Sequence, residues 1–176
     1  MTAGTNLLVT GPPRTGKTTL IRKVAETFSG RSFGGFYTGE IREGGRRMGF
    51  ELVSFEGARA ILADARIGGS CRVGKYGVDV AAFEAFLGAI DLDALCHEFT
   101  IIDEIGKMEW YSPRFRSIVG SLLDGEKPLL ATIALRGPAE IEAIKERSDV
   151  LIRVMDRENR DRMLPAICRE LERMLG

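Results

Sequence analysis

Apolar and polar positions along this chain fall into blocks of two different periods. Asn6 to Thr10 (N-L-L-V-T) is a short apolar run that stops at Gly11, and a helical stretch follows from about Gly16 to Phe28. Phe33 to Arg42 and Arg46 to Phe55 read as two strands around Glu43-Gly44-Gly45, because a Gly-Gly pair supplies the backbone freedom of a tight hairpin. Ala58 to Arg66 is expected to extend that meander. Asp79 to Ile90 carries apolar residues at helical spacing (Val80, Phe83, Phe86, Leu87, Ile90), with Asp79 as the N-cap.

The second half alternates more regularly. Phe99 to Ile102 is an apolar, β-branched run, and a helix from about Pro113 follows, capped by Ser112. Leu129 to Leu135 predicts a strand, Pro138 to Arg147 a helix, Val150 to Val154 a strand and Asn159 to Leu175 the last helix. Continuous apolar strands separated by helices indicate a mostly parallel central sheet covered on both faces, so the fold class is α/β. Four core strands are expected, with the Phe36 region as a fifth. The Arg42–Phe55 hairpin and the chain up to about Tyr76 form an antiparallel insertion, spanning about 40–76.

A length of 176 residues suits one domain, 1–176, and is ample for a single core without metal or disulfide staples. Lys and Arg number 25 and Asp and Glu 25, so the formal charge is zero. That balance does not indicate nucleic acid as a partner, since such proteins neutralise many phosphates at once. One local anion site is still compatible with it. Cys71, Cys96 and Cys168 are widely spaced, and the single His97 sits beside Cys96, so neither a disulfide framework nor a zinc ligand set assembles. Free thiols in a reducing compartment are the better reading. No apolar stretch approaches the roughly 18 residues of a membrane span, and the opening run is short and lacks a basic leader. The expectation is a cytoplasmic monomer that engages no membrane.

Gly11-Pro12-Pro13-Arg14-Thr15-Gly16-Lys17-Thr18 matches G-x-x-x-x-G-K-[ST] between a buried strand and an amphipathic helix. The spacing has a chemical reason. Successive backbone N–H groups curl around a β-phosphate while the helix N-terminus adds its partial positive charge. Lys17 reaches the β- and γ-phosphates, the Thr18 hydroxyl is a ligand of Mg²⁺, and Thr19 can cap the α-phosphate.

Such a site also requires a carboxylate from a neighbouring strand end, and Phe99-Thr100-Ile101-Ile102-Asp103-Glu104 supplies two. Asp103 is the candidate on the metal side. Glu104 is placed to polarise a water for attack on the γ-phosphoryl group. Neighbouring strand residues point to opposite faces, so the strand must be ending here for both acids to reach one site. Thr132, inside the next apolar strand, either senses the γ-phosphate or simply fills a strand position.

The chain resembles the small nucleoside-triphosphatases of the thermophilic and cancer-related type. The resemblance is carried by T-G-P-P-R-T-G-K-T-T-L-I (Thr10 to Ile21), G-F-Y-T-G-E-I-R (Gly35 to Arg42) and G-R-R-M-G-F (Gly45 to Phe50). It continues through C-R-V-G-K-Y-G-V-D (Cys71 to Asp79), I-D-E-I-G-K-M-E (Ile102 to Glu109) and E-N-R-D (Glu158 to Asp161). These blocks span nearly the whole chain. The resemblance implies a three-layer, RecA-like P-loop NTPase with an added antiparallel hairpin. It also implies Mg²⁺-dependent hydrolysis of nucleoside triphosphates to diphosphate and phosphate, with broad base tolerance and slow turnover. The phosphate and metal roles carry to Gly11 through Thr18, Asp103 and Glu104. Arg14 departs from the pattern, standing where many members have glycine.

Other residues keep two readings. Arg42, Arg46 and Arg47 flank the hairpin as a source of an arginine finger or as solvated charge. Lys107 is structural or orients an anion. Arg160 stacks on a base or sits beside a helix whose N-cap is Asn159. Phe36, Tyr37 and Trp110 could stack on a base, with a core role preferred for Phe36. Two rival functions share the loop and sheet: a nucleotide, nucleoside or polynucleotide kinase, and a nucleotide-dependent switch.

Overall fold

In the computed structural model the described residues are 6–92 and 96–176, so the reading of the chain's opening at 1–5 lies outside them. The elements run β1 (Asn6–Thr10), α1 (Lys17–Thr27), β2 (Phe33–Glu43), β3 (Arg46–Ser54), β4 (Arg59–Asp64), β5 (Arg72–Val73), β6 (Tyr76–Val78) and α2 (Val80–Ala89). The second half adds β7 (Phe99–Ile105), α3 (Pro113–Asp124), β8 (Leu129–Ile133), α4 (Ala139–Lys145), β9 (Val150–Val154) and α5 (Arg160–Leu175). A single 3-10 turn over Glu109–Tyr111 precedes α3.

Among the described residues the strands form one sheet in the order β5-β6-β4-β3-β2-β7-β8-β1-β9. The five strands from β2 to β9 in that order are parallel. The side-chain alternation of a strand explains why this half is so apolar. Leu7 and Val9 of β1 pack on one face with Leu20, Ile21 and Val24 of α1 and Ile167 and Leu171 of α5. Leu8 packs on the other face with Phe83 and Phe86 of α2, Phe115 and Val119 of α3, and Ile141 of α4. A strand apolar on both faces must be covered on both, and the three layers follow.

Strand β2 does two jobs. Its first residues pair parallel with β7 (Phe33 with Phe99, Phe36 with Ile102), and its length then pairs antiparallel with β3. The fifth core strand and the hairpin arm are therefore one continuous strand, from which β3, β4, β6 and β5 fan out as the antiparallel insertion. Phe36 is fully buried between Phe83, Phe86 and Phe115. Its role is core packing.

Two predicted caps form. The Asp79 side chain accepts from the Ala82 N–H at 2.9 Å, and Ser112 Oγ accepts from the Phe115 N–H at 3.0 Å while donating to Glu84 at 2.7 Å. The Asn159 cap does not. Its side-chain oxygen accepts from the Asp156 N–H at 2.9 Å and its amide donates to the Val154 carbonyl at 2.8 Å, so it folds the β9–α5 turn instead of closing the helix. Strand β8 ends at Ile133, before Leu135, which is 43% exposed.

Phe115 is the aromatic hub of the α2–α3 face, with ring centroids 5.3 Å from Phe83, 6.3 Å from Phe36 and 6.3 Å from Trp110. Removing its ring leaves a cavity that rigid neighbours cannot close. Phe115→Ala is expected to lower unfolding free energy by about 3–5 kcal/mol, read from urea titration followed by Trp110 fluorescence.

Candidate active site

The phosphate loop joins β1 to α1, and its shape depends on three positive-φ positions, Gly11, Arg14 and Gly16. Gly11 has φ +149° and lies against the β9–α5 turn so closely that a Cβ there would fall 2.0 Å from the Met155 carbonyl oxygen. Arg14 adopts φ +63°, the left-handed conformation for which glycine is suited. The arginine thus holds a backbone shape that glycine adopts without strain. Its side chain lines the cleft above the loop.

Helix α1 begins at Gly16 without a side-chain cap and with no acidic residue in its first turn. Its leading N–H groups and positive end consequently remain available to an anion. The Lys17 ammonium donates to the carbonyls of Gly11 at 2.9 Å and Pro12 at 3.0 Å, across the mouth of the loop. Thr15 is buried and donates to the Pro12 carbonyl at 2.9 Å, so it braces the loop from behind.

Strand β7 faces this loop from one strand away, with β8 between β7 and β1. Between Ile102, paired with Ala131, and Ile105, paired with Ile133, the β7–β8 register slips. β7 carries one more residue than β8 across that interval, and Asp103 and Glu104 occupy it. A bulge of this kind re-aims side chains that a regular strand would send to opposite faces. The bulge leaves Asp103 2.7 Å from Thr18 and Glu104 lining the cleft beside the loop.

Asp103 is 1% exposed and held by three threonines. Its Oδ2 accepts from Thr18 Oγ1 at 2.7 Å, from Thr38 Oγ1 at 3.1 Å and from the Thr38 N–H at 3.3 Å. Its Oδ1 accepts from Thr132 Oγ1 at 2.5 Å. Thr132, fully buried on β8, therefore addresses Asp103. Thr38 is a residue that the reading of the sequence left without a role, although the G-F-Y-T block contained it. Nothing in its local pattern shows that β2 pairs alongside β7 and brings Thr38 beside Asp103.

Glu104 lines the cleft. Burial first, and then the adjacent Asp103 charge, push its carboxyl above the ordinary range, with Lys17 opposing them. Such a group holds a water's proton more readily near neutral pH than an exposed glutamate does.

The cleft measures about 770 Å³ and brings together Gly11, Pro13, Arg14, Gly16, Lys17, Thr18, Thr19 and Glu104. Pro12, Thr15 and Asp103 are not among the residues lining it, Thr15 and Asp103 being buried and Pro12 exposed. Its other wall comes from the insertion, with Glu40, Arg47 and Phe50, and from Lys107 and Arg136. Arg47 is the hairpin arginine that reaches it, held by Glu40 at 2.9 Å and Tyr76 at 3.0 Å. Arg42 is tied to Glu40 at 2.6 Å, and Arg46 is exposed. Tyr37 lines the cleft under the Arg22 guanidinium, 5.1 Å from the ring centroid. Arg160, exposed at the start of α5 and 3.4 Å from Asp161, is not among the residues lining it.

Thr18 and Asp103 offer only hard oxygen donors. Among the described residues no group of three or more His, Cys, Asp and Glu side chains could hold a metal ion by itself. A magnesium ion suits this set, because it keeps waters and phosphate oxygens and takes few protein ligands.

An uncapped helix behind a glycine loop, facing an acidic strand end across one intervening strand, defines a P-loop nucleotide-binding fold of the α/β class. Comparison with known proteins narrows this. Residues 6–168 match the family described as NTPase, and the chain belongs to that family. It is 41% identical to a nucleoside-triphosphatase THEP1 of Thermotoga sp. (strain RQ2), covering 92% of both chains. It is 39% identical to the cancer-related nucleoside-triphosphatase of Homo sapiens, covering 92% of this chain and 94% of that one. The crystal structure of THEP1 from Aquifex aeolicus superposes with a TM-score of 0.86 at 34% identity, over 95% of this chain and 99% of that one. The solution structure of the human protein gives a TM-score of 0.79 at 37% identity, over 96% and 97%. No helix among the described residues is long and apolar enough to cross a membrane.

Proposed function

We propose that the protein hydrolyses nucleoside triphosphates to nucleoside diphosphate and phosphate, with Mg²⁺ as cofactor, slow turnover and broad tolerance of the base. The observation that carries this reading is the convergence of Lys17, Thr18 and Glu104 on one cleft, over an Asp103 fixed by Thr18, Thr38 and Thr132.

The triphosphate lies along the loop, where backbone N–H groups and the α1 N-terminus bind the β-phosphate. Lys17 exchanges its loop carbonyls for β- and γ-phosphate oxygens. A bound Mg²⁺, held by Thr18 and through water by Asp103, would neutralise phosphate charge. Glu104 orients a water in line with the γ-phosphorus and takes its proton as the new P–O bond forms. The bond from the γ-phosphorus to the bridging oxygen breaks, and nucleoside diphosphate is the leaving group. Arg47, the hairpin arginine that lines the same cleft, is a second cation that can meet charge on the γ-phosphoryl group.

Water is favoured over another acceptor by the segment before β9. Kinases usually carry an arginine-rich lid there, whereas α4 is a seven-residue helix. Of the two flanking arginines, Arg147 is tied to Asp124 and Asp149 at 2.8 and 2.7 Å.

Phosphate release from ATP, GTP, CTP and UTP, with and without nucleosides and nucleotides as acceptors, tests the proposal. The four substrates are expected to agree in kcat/KM within roughly 100-fold, about 2.7 kcal/mol. A larger preference requires hydrogen bonds to the base. Diphosphate formed in excess of free phosphate, with an acceptor present, overturns hydrolysis in favour of transfer.

A further inference from the structure

The chain after Glu104 turns sharply through Gly106, and the Trp110 N–H closes that turn onto the Gly106 carbonyl at 3.0 Å. Glu109 begins the 3-10 turn there. It is 4% exposed, yet it lines the same cleft as Glu104. The backbone N–H groups of Glu109 itself and of Gly106 favour its charged form, against the larger effect of burial. Among the described residues no cation forms an ion pair with it. A buried carboxyl in that situation is costly unless something requires it.

Gly106 shows what it faces. A Cβ on this residue would lie 2.6 Å from Glu104 Oε1 and 2.9 Å from Glu109 Oε2. The two carboxyl groups therefore converge over one glycine and fill the space its missing side chain leaves. Gly106 is not among the glycines with positive φ, so its backbone conformation is open to alanine. Glycine is required here by the carboxyls, not by the turn.

We propose that Glu109 and Gly106 are positioning residues for Glu104: Gly106 provides the gap and Glu109 walls it, fixing the Glu104 carboxylate toward the cleft. The inference rests on the reading of Glu104 as the residue that orients the attacking water. Burial first, and next the Glu104 charge, push the Glu109 carboxyl well above its ordinary range. With its charge disfavoured by burial, Glu109 repels the Glu104 carboxylate less than an exposed glutamate in the same place would. The neighbours then divide the work. Lys17 steadies the charged form of Glu104, and Glu109 limits where that charge can point.

The test is steady-state ATP hydrolysis by full-length variants, with kcat and KM separated and melting temperature recorded. Glu109→Ala is expected to lower kcat by roughly 10-fold or more with KM nearly unchanged. Glu109→Gln, uncharged and similar in shape, should stay within about 3-fold of the parent kcat. Gly106→Ala should resemble Glu109→Ala, because its methyl group enters the space both carboxyls occupy. In a Glu104→Gln background, Glu109→Ala should add little further loss, since it acts through a group already removed. Parent-like kcat in Glu109→Ala or Gly106→Ala, a matching rise in KM, or an undiminished effect in the Glu104→Gln background overturns the proposal. Should Glu109→Ala fail to fold, Gly106→Ala with Glu109→Gln as its control decides by the same criteria. Glu104→Gln hydrolysing at the parent rate overturns the reading of Glu104 itself. A slow Glu104→Gln beside parent-like Glu109→Ala and Gly106→Ala overturns only the positioning role.

Discussion

Replacing Glu104 by glutamine is expected to reduce kcat for ATP by about 10²–10⁴-fold, or about 3–5 kcal/mol, while the nucleotide Kd moves little. Glutamine keeps the size of the side chain and can still touch a water, but it cannot accept a proton from it. The split between turnover and affinity follows from the division of labour at the end of β7. Asp103 faces the threonines and the phosphate loop, whereas Glu104 faces the open cleft. Fluorescent-nucleotide titration alongside phosphate release measures both quantities. A variant that hydrolyses ATP at the parent rate removes Glu104 from the mechanism and turns attention to Arg47.

Lys17→Ala should have its effect on binding. The ammonium already sits across the loop, bonded to the carbonyls of Gly11 and Pro12, so it needs only a small movement to reach phosphate. Hydrogen bonds to charged groups are worth about 1.5–3 kcal/mol each, so losing contacts to two phosphates should weaken ATP binding by about 10²–10⁴-fold. Isothermal titration with ATP checks this. Because the lysine also ties two loop carbonyls, circular dichroism of the variant should confirm that α1 persists. Affinity equal to that of the parent would place the nucleotide site elsewhere.

The loop, the acid pair and the alternating order of strands and helices were legible because each rests on local chemistry. A run such as Leu7-Leu8-Val9 is apolar on both faces whatever lies beside it, and G-x-x-x-x-G-K-T carries its own geometry. The Arg42, Arg46 and Arg47 cluster shows where this legibility stops. Three arginines on one ribbon look alike in sequence. Only the pairing of β3 with β2 and β4 sends Arg47 to the cleft and leaves Arg42 on Glu40. Asn159 failed as a cap for a related reason, since its amide found better partners in the β9–α5 turn.

The sequence by itself determined the layers, the phosphate loop and the acid pair at the end of β7, since periodicity and motif spacing are properties of a few adjacent residues. The tertiary structure alone decided how those residues meet. Thr38, Thr132 and Thr18 are far apart along the chain, and they converge on Asp103 because β2, β7 and β8 are neighbours in the sheet. Glu109 is hidden in the same way. Five residues beyond Glu104, it comes back beside it only because the turn at Gly106 leaves room for both carboxyl groups. Strand order and turn geometry are set by packing across the whole domain, and no short window of sequence contains that information.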